Sequence, residues 1–255
     1  MMDGVSLEQF LHSPARSLLT YPQSELAAAR IDELQALGIT KIYNYGAVRL
    51  QHWHCLGLGY FGLVLLVEYQ GQLTALKVRR SDASRASFEQ EAAMLRLANT
   101  KQIGPKLQGV SQDFLLMDYV AGPLFVNWLK ADVIDNVQTV HDLVLNLLQQ
   151  AFQLDQLGLD HGNLRCVTAH VIVSNNQPIL LDFSSASTTR RPANITTLIQ
   201  GLFWGTSLVP LLQQYGLQLD RETAIPLLRS YKQQPSAENF EQLLNQIFGA
   251  RSTSV

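Results

Sequence analysis

Hydrophobic and polar positions alternate along a stretch in the first half of the chain. The sequence GLVLLVEYQGQLTALKVRR, from Gly62 to Arg80, consists of two β-like runs separated by Gln70-Gly71. A Gln-Gly pair between two such runs indicates a tight hairpin turn. KLQGV and FLLMDYV predict two further strands, and Ala121–Pro123 ends the second of them. A later hairpin is predicted from HVIVSNNQPILLDF, His170 to Phe183.

Helical periodicity dominates the remaining sequence. SELAAARIDELQALG begins at a capping candidate, Ser24, and places Ala27, Ile31 and Leu34 on one face, so the first 47 residues are expected to be helical. TVHDLVLNLLQQAFQLDQLG predicts a long amphipathic helix, and the chain from about Ile195 reads as helix. The pattern predicts an α+β fold with a helical N-terminal extension (1–47), a small antiparallel β-sheet lobe (48–118) and a mainly helical lobe (119–255).

Composition excludes several classes of protein. The 255 residues are 47% hydrophobic and 16% charged, which argues against disorder, and the net charge of -2 gives no attraction to nucleic acid. Cys55 and Cys166 are too far apart in sequence to suggest a disulfide framework, so a cytoplasmic location is expected. The uncharged run that begins at Ile195 contains a glutamine and a proline, which favours a buried core helix over a membrane span.

The sequence GLGYFGLV places Gly57, Gly59 and Gly62 before Val64 in the pattern G-x-G-x-x-G-x-V. Glycines allow backbone N–H groups to approach phosphate oxygens without an intervening side chain. The pattern also occurs in dinucleotide-binding folds, where it leads into a helix. Here a strand follows, which favours a hairpin that covers a nucleotide.

Lys77 lies in the middle of an apolar strand, in the sequence ALKV. It is either a snorkelling side chain at a sheet edge or a cation directed at phosphates. Phe88, Glu91 and Leu95 are spaced i, i+3, i+7, so Glu91 lies on the apolar face of the next helix. A carboxylate that faces the core needs a partner, and a Lys77–Glu91 pair is therefore expected.

The second hairpin places two polar residues at its open end. If the turn centres on Asn175 and Asn176, His170 and Asp182 fall opposite each other. Asp182 closes an apolar strand, which is a common placement for a metal ligand but also for an ordinary aspartate that starts a turn.

These pieces, in the order glycine hairpin, Lys77, Glu91, LMDYVAGP, HGN and DFS, resemble the protein-kinase superfamily between about Leu56 and Ala186. MDYVAGP and DHGN are most similar to stretches of small atypical kinases, the RIO kinases and the KEOPS-complex kinase. The resemblance implies a bilobal protein-kinase-like fold with ATP between the lobes.

The resemblance also assigns roles to individual residues. Lys77 would hold the α- and β-phosphates and pair with Glu91, Met117 would be the gatekeeper, and Asp182 would hold Mg²⁺. The implied ATP-binding set is completed by Gly57, Gly59, Gly62, Val64, Ala75, Asp118 and Val120, the last two in a hinge beside the adenine.

The chain departs from the family pattern at three positions. Asn163 replaces the catalytic-loop aspartate, and an amide can orient a hydroxyl but cannot accept its proton. Thr168 stands where a metal-binding asparagine is expected; in a loop longer by two residues, His170 takes that position. Because imidazole is a poor Mg²⁺ ligand, one firmly held Mg²⁺ at Asp182 or a preference for Mn²⁺ is expected. Ser184 replaces the last glycine of D-F-G.

The sequence therefore predicts an ATP-dependent phosphotransferase, an atypical serine/threonine kinase that uses Lys77, Glu91, Asn163 and Asp182. Two alternatives remain open. One is a non-catalytic ATP-binding scaffold, and the other is a kinase that phosphorylates a small molecule, since there is no room for a long activation segment after DFSSAS. The expected partners are ATP and an unidentified protein or small-molecule acceptor.

Overall fold

A computed structural model describes residues 4–23, 28–50, 52–131 and 136–249. The chain forms two compact units, Met1–Asn99 with Pro105–Val120 and Thr100–Gly104 with Ala121–Val255. The fold is α+β, as predicted, with antiparallel strands in the first unit and mainly helices in the second. The predicted cap Ser24 and the predicted apolar Ala27 lie outside the described residues.

The first unit is built around one antiparallel sheet in the strand order β1-β2-β6-β7-β9-β8, with β5 paired to the start of β6. The strands of the first unit, in chain order, are β1 (Gly4–Ser6), β2 (Ile39–Tyr43), β3 (Val48–Leu50), β4 (Trp53–Cys55), β5 (Gly57–Leu58), β6 (Gly62–Tyr69), β7 (Gln72–Arg79), β8 (Leu107–Val110) and β9 (Phe114–Asp118). Its helices are α1 (Leu7–Leu11), a 3-10 helix (Pro14–Thr20), α2 (Ala28–Ala36) and α3 (Glu89–Asn99).

The hairpin between β6 and β7 confirms the turn expected at Gln70-Gly71. Both turn residues have positive φ, 51° and 75°, and Tyr69 pairs directly with Gln72. Left-handed φ at both central positions is the geometry that matches the twist of the flanking strands. This turn sets the register of the two strands, and it places Lys77 opposite Val64.

The N-terminal segment, residues 4–43, differs from the expected helical extension because β1 and β2 belong to the sheet. Three residues of β1 are too few to show a period, and a register shift between Ile39 and Lys41 interrupts the alternation of β2. The segment covers one face of the sheet. Its buried residues there are Phe10, Leu18, Leu19, Leu34, Ile39 and Ile42, which cluster with Leu63, Leu65, Val67, Leu76, Val78, Phe114 and Leu116.

A buried ionic cluster joins this segment to the sheet. Arg30 donates from Nε and Nη2 to the two carboxylate oxygens of Asp113, at 2.7 and 3.0 Å. Arg79 Nε donates to the same carboxylate at 2.5 Å, and Arg30 also donates to the carbonyls of Leu19 and Arg79. Asp113 N–H in turn donates to Glu33 on α2, at 2.9 Å. Helix α2 is thus attached to β7 and to the start of β9.

The second unit is mainly helical. Its elements are α4 (Phe125–Leu129), α5 (Val137–Gln156), α6 (Val167–His170), β10 (Val171–Ser174), β11 (Gln177–Leu180), a 3-10 helix (Phe183–Ser185), α7 (Asn194–Phe203), α8 (Val209–Gln213), α9 (Arg221–Gln233) and α10 (Ala237–Phe248). The apolar face of α5 is buried from Val140 to Leu154, as its pattern predicts.

The uncharged run that begins at Ile195 forms α7, which is ten residues long and mostly buried, and then the separate short helix α8. Within the described ranges, none of the helices combines the length and apolar character that crossing a membrane requires.

Candidate functional site

Gly57–Gly62, the glycine hairpin, connects β5 to β6. Gly57 pairs with Val64 and Leu58 with Leu63, and the Gly59 N–H donates to the Gly62 carbonyl at 2.8 Å. The motif therefore joins two antiparallel strands and does not lead into a helix. This arrangement is the hairpin that the sequence predicts. In a dinucleotide-binding turn, a helix would follow the motif.

The three glycines meet different surroundings. A Cβ at Gly62 would lie 2.7 Å from the Val78 carbonyl oxygen, so the fold itself excludes a side chain there. A Cβ at Gly57 or Gly59 would meet nothing nearer than 4.0 and 3.5 Å, respectively, which is ordinary contact, and neither residue has a left-handed φ. The fold does not require glycine at these two positions. Their bare backbone is instead suited to the close approach of a ligand.

The expected Lys77–Glu91 pair is present. Lys77 Nζ donates to Glu91 Oε1 at 2.7 Å, and the two residues are only 6% and 3% exposed. The strand β7 supplies the lysine, and the apolar face of α3 supplies the carboxylate, together with Ala92 and Leu95. Burying two charges is costly unless they are paired, so this pair holds the ammonium in a defined position.

A second cation contacts the same carboxylate. Arg85, in the loop between β7 and α3, places Nη1 3.5 Å from Glu91 Oε2. Its guanidinium carbon lies 3.9 Å from the centre of the Phe61 ring, in the turn of the glycine hairpin. Sequence reasoning missed Arg85 because a loop residue belongs to no periodic pattern.

Four of the predicted ATP-binding residues share one face of the sheet. Val64 lies opposite Lys77, and Ala75 lies opposite Met117 on the next strand. Residues directly opposite each other, and alternate residues along a strand, point to the same side. This face is the one that the N-terminal segment leaves open, and Phe88 and Ala92 cover part of it.

The predicted hinge residues lie differently. Asp118 is exposed and accepts a hydrogen bond from Gln108 Nε2 at 2.5 Å. Asp118 and Tyr119 line a pocket of about 310 Å³ beside the Gln70-Gly71 turn, which none of Val64, Ala75, Lys77 or Met117 lines. Val120 is half-buried at the end of the first unit. The hinge role of Asp118 and Val120 stays a prediction.

The second unit brings together Asn163, His170 and Asp182. Asn163 Nδ2 lies 2.8 Å from His170 Nε2, which accepts its hydrogen bond in the tautomer protonated on Nδ1. That Nδ1 atom lies 4.0 Å from Asp182 Oδ2. Asp182 adopts a left-handed φ of 62°, and one of its oxygens accepts the Ser184 N–H at 3.3 Å.

The register of this hairpin corrects one expectation. The turn does centre on Asn175 and Asn176, as predicted, but the pairs then run from Ser174 opposite Gln177 to Val171 opposite Leu180. The His170 backbone carbonyl accepts the Leu181 N–H at 2.8 Å. The residue opposite His170 is therefore Leu181, and Asp182, which was predicted to lie there, is one residue further along the chain. A two-residue turn makes this outcome necessary. Asp182 approaches His170 because its left-handed φ turns the chain.

The acidic residues of this region do not form a ready-made metal centre. Across the part of the chain that the structure describes, no three His, Cys, Asp or Glu side chains are grouped so as to hold a metal ion. A Mg²⁺ ion that accompanies a nucleotide needs only one or two carboxylates, because phosphates and water supply its other ligands. Asp182 fits that role, whereas the His170 nitrogen nearest Asn163 already has a hydrogen-bond partner. Metal binding by either residue stays a prediction.

Asp160, which precedes the loop, is bound to another residue. Its carboxylate accepts from Arg190 Nε at 2.9 Å, and its backbone exchanges two hydrogen bonds with Ser187. Asp160 is therefore held by a cation and not directed at Asn163. The neighbouring Arg191 donates to the carbonyls of Lys232 and Gln233.

A buried polar network anchors the loop that carries Asn163. Asn194, the first residue of α7, accepts the His161 N–H at 2.9 Å and donates to the Leu159 carbonyl at 2.7 Å. Asp155 accepts from Asn194, from the Ile195 N–H and from the Tyr231 hydroxyl. Burial raises the pKa of Asp155, which these hydrogen bonds partly oppose. Sequence reasoning missed this network because it joins residues on three helices.

His161 lies beside this network as a neutral, buried residue. Its Nε2 donates to the Leu181 carbonyl at 3.1 Å, and its ring packs against Phe183. Burial, together with the nearby His170, lowers the pKa of His161 to about 4. A histidine with this pKa holds the loop in place and does not act as a base at neutral pH.

No protein-family model and no curated protein matches this chain. A functional proposal therefore depends on the side chains described above.

Proposed function

We propose that the chain is an ATP-dependent phosphotransferase of the protein-kinase-like, bilobal type, acting as an atypical serine/threonine kinase with Asn163 in the catalytic loop. The observation that carries the proposal is the buried Lys77–Glu91 pair, which lies on the open face of the sheet next to the glycine hairpin. Replacing a buried ion pair by apolar residues often costs no stability, so its presence is better explained by a ligand.

The first unit offers what a triphosphate needs. Lys77 supplies a positive charge in a position that Glu91 defines, and Gly57 and Gly59 supply backbone N–H groups without side chains. Val64, Ala75 and Met117 supply an apolar surface on the same face, which suits an adenine ring. A dinucleotide-binding turn is not favoured, because a strand and not a helix follows the hairpin in this chain.

The second unit offers groups for the acceptor and the metal. Asp182 would hold Mg²⁺ or Mn²⁺, which neutralises phosphate charge when bound. Asn163 lacks a basic oxygen, and its amide would orient the acceptor hydroxyl by hydrogen bonding. Phosphoryl transfer has a loose transition state in which positioning matters most, so the loss of a general base lowers the rate by about 10²–10⁴-fold without abolishing transfer.

A non-catalytic ATP-binding scaffold is the second candidate. Two observations favour it: Asn163 is hydrogen-bonded to His170, and the Asp160 carboxylate is held by Arg190. The two candidates share nucleotide binding and differ only in transfer. A kinase that acts on a small molecule is the third candidate, and the short connection 186–193 between the 3-10 helix and α7 is the observation in its favour.

The proposal includes a cytoplasmic location. Both cysteines are free thiols, and Cys166 is exposed, which suits a reducing compartment that also supplies ATP.

The test is incubation of purified protein with γ-labelled ATP and either Mg²⁺ or Mn²⁺. Wild type is compared with Lys77→Met and Asp182→Ala, and the control is Asp82→Ala, whose exposed carboxylate pairs only locally with Arg80. Transfer of label to protein by wild type and by the control, but not by the two variants, supports the kinase. Transfer only to added metabolites supports the small-molecule kinase. Thermal stabilisation by ATP without transfer supports the scaffold, and the absence of both refutes the proposal.

A further inference from the structure

Arg85 contacts three elements of the first unit from an otherwise irregular loop. Its guanidinium lies over the Phe61 ring at 3.9 Å, and its Nη1 lies 3.5 Å from Glu91 Oε2. Its backbone carbonyl accepts a hydrogen bond from Arg79 Nη1 at 3.1 Å. The side chain is only 20% exposed, so both of its contacts are partly shielded from water.

Phe61 is the residue through which this contact reaches the glycine hairpin. It occupies the turn between Gly59 and Gly62, and its carbonyl accepts the Arg80 N–H at 3.0 Å. Its ring packs edge-on against Tyr60, which is 78% exposed. One face of the turn is therefore in contact with Arg85.

We propose that Arg85 is a positioning residue that holds the glycine hairpin against the Lys77–Glu91 pair through Phe61. This inference rests on the proposed function and deepens it, because it explains how the hairpin is ordered before a nucleotide arrives.

Lysine cannot take the place of Arg85. A planar guanidinium stacks on an aromatic ring through its face while its edge donates to a carboxylate, whereas an ammonium offers a compact point charge. In this protein the Arg85 guanidinium lies 3.9 Å from the centre of the Phe61 ring and 3.5 Å from the Glu91 carboxylate, so both interactions need the one group.

The experiment compares Arg85→Met and Arg85→Lys with a control in the same loop, Arg80→Met. The Arg80 side chain pairs with Asp82 and lies over Tyr21 at 5.3 Å, and the N–H that Arg80 donates to Phe61 belongs to the backbone and is kept in the variant. Two properties are measured: amide hydrogen exchange of residues 57–62 in the nucleotide-free protein, and the affinity for a fluorescent non-hydrolysable ATP analogue with Mg²⁺.

We expect Arg85→Met to accelerate exchange in the hairpin and to weaken binding of the analogue, each about tenfold, since a cation–π contact and a partly buried ion pair are lost together. Arg85→Lys should be impaired to a similar extent in exchange, and Arg80→Met should change neither property by more than about twofold. Phe61→Leu removes the ring from the other side of the contact and should accelerate exchange in the same way, which keeps the test decisive if Arg85→Met does not fold.

The outcomes separate this inference from the proposed function. Unchanged hairpin exchange in both Arg85→Met and Phe61→Leu overturns the inference, whether or not nucleotide binds. Faster exchange with unchanged affinity overturns the positioning role. A wild-type protein that binds no analogue overturns the proposed function instead, and the exchange measurement alone then decides whether Arg85 holds the hairpin.

Discussion

Replacing Asp113 by asparagine should destabilise the first unit severely. Asp113 is 6% exposed and is the shared partner of Arg30 and Arg79. The asparagine keeps the shape of the side chain but leaves two guanidinium groups, both largely buried, without their carboxylate. Removing one partner of a buried ion pair costs about 3–5 kcal/mol, whereas an exposed pair contributes at most about 1 kcal/mol. We therefore expect Asp113→Asn to lower the free energy of unfolding by about 4 kcal/mol, a large part of the 5–15 kcal/mol typical of a domain.

The assay is urea unfolding followed by the fluorescence of Trp53, which packs against Phe10 in the first unit. Replacement of Trp128 and Trp204 by phenylalanine removes the signal of the second unit, because the chain has three tryptophans. Separate readout matters since two units need not unfold in one transition.

The matched control is Asp82→Asn, because Asp82 pairs with Arg80 at 2.7 Å but has a side chain that is 45% exposed. It should cost less than about 1 kcal/mol. If Asp113→Asn costs no more than this control, the reasoning about the buried cluster is refuted.

Three further predictions concern single residues. His161 has a pKa of about 4 in the folded protein, against 6.5 for an exposed histidine, so this residue binds a proton more readily in the unfolded chain. The stability that the neutral His161 contributes is therefore complete above about pH 6.5, and it declines by about 3 kcal/mol as the pH falls to 4. Urea unfolding between pH 7 and pH 4 should show a shallower decline for His161→Gln, and equal slopes would contradict the assignment. Gly62→Ala should lower the free energy of unfolding by about 2 kcal/mol because of the close Val78 carbonyl, whereas Gly59→Ala should stay within about 0.5 kcal/mol of wild type but weaken binding of the ATP analogue. Thermal unfolding with and without the analogue measures both effects. Equal destabilisation by the two variants would contradict the distinction between the two glycines. Asn163→Asp should keep or raise label transfer in the kinase assay, and complete loss would show that the amide has another role.

Short-range patterns predicted much of the fold. The turns at Gln70-Gly71 and at Asn175-Asn176 lie where their residue types indicate, because left-handed φ is easiest for glycine and asparagine. The Lys77–Glu91 pair also follows from the sequence, since helical spacing places the carboxylate among apolar residues and the adjacent strand carries a cation.

Contacts between distant residues could not be predicted in the same way. The N-terminal segment joins the sheet through a three-residue strand and a strand with a register shift, and neither produces a clear alternation. Arg85 meets Phe61 and Glu91 only because a loop folds back over the hairpin. The position of Asp182 depends on a backbone conformation, φ 62°, that is uncommon for aspartate and that no local pattern indicates.

The N-terminal segment has a practical consequence for recombinant work. The motifs on which the proposed function rests begin at about Leu56, which makes a fragment starting there an obvious choice for expression. Such a fragment would expose Leu63, Leu65 and Val67, which the segment buries completely or almost completely, and would free one edge of β6. An apolar sheet face with an open edge promotes self-association. Soluble protein is therefore to be expected from chains that begin at or before Gly4, and aggregates from those that begin at the motifs.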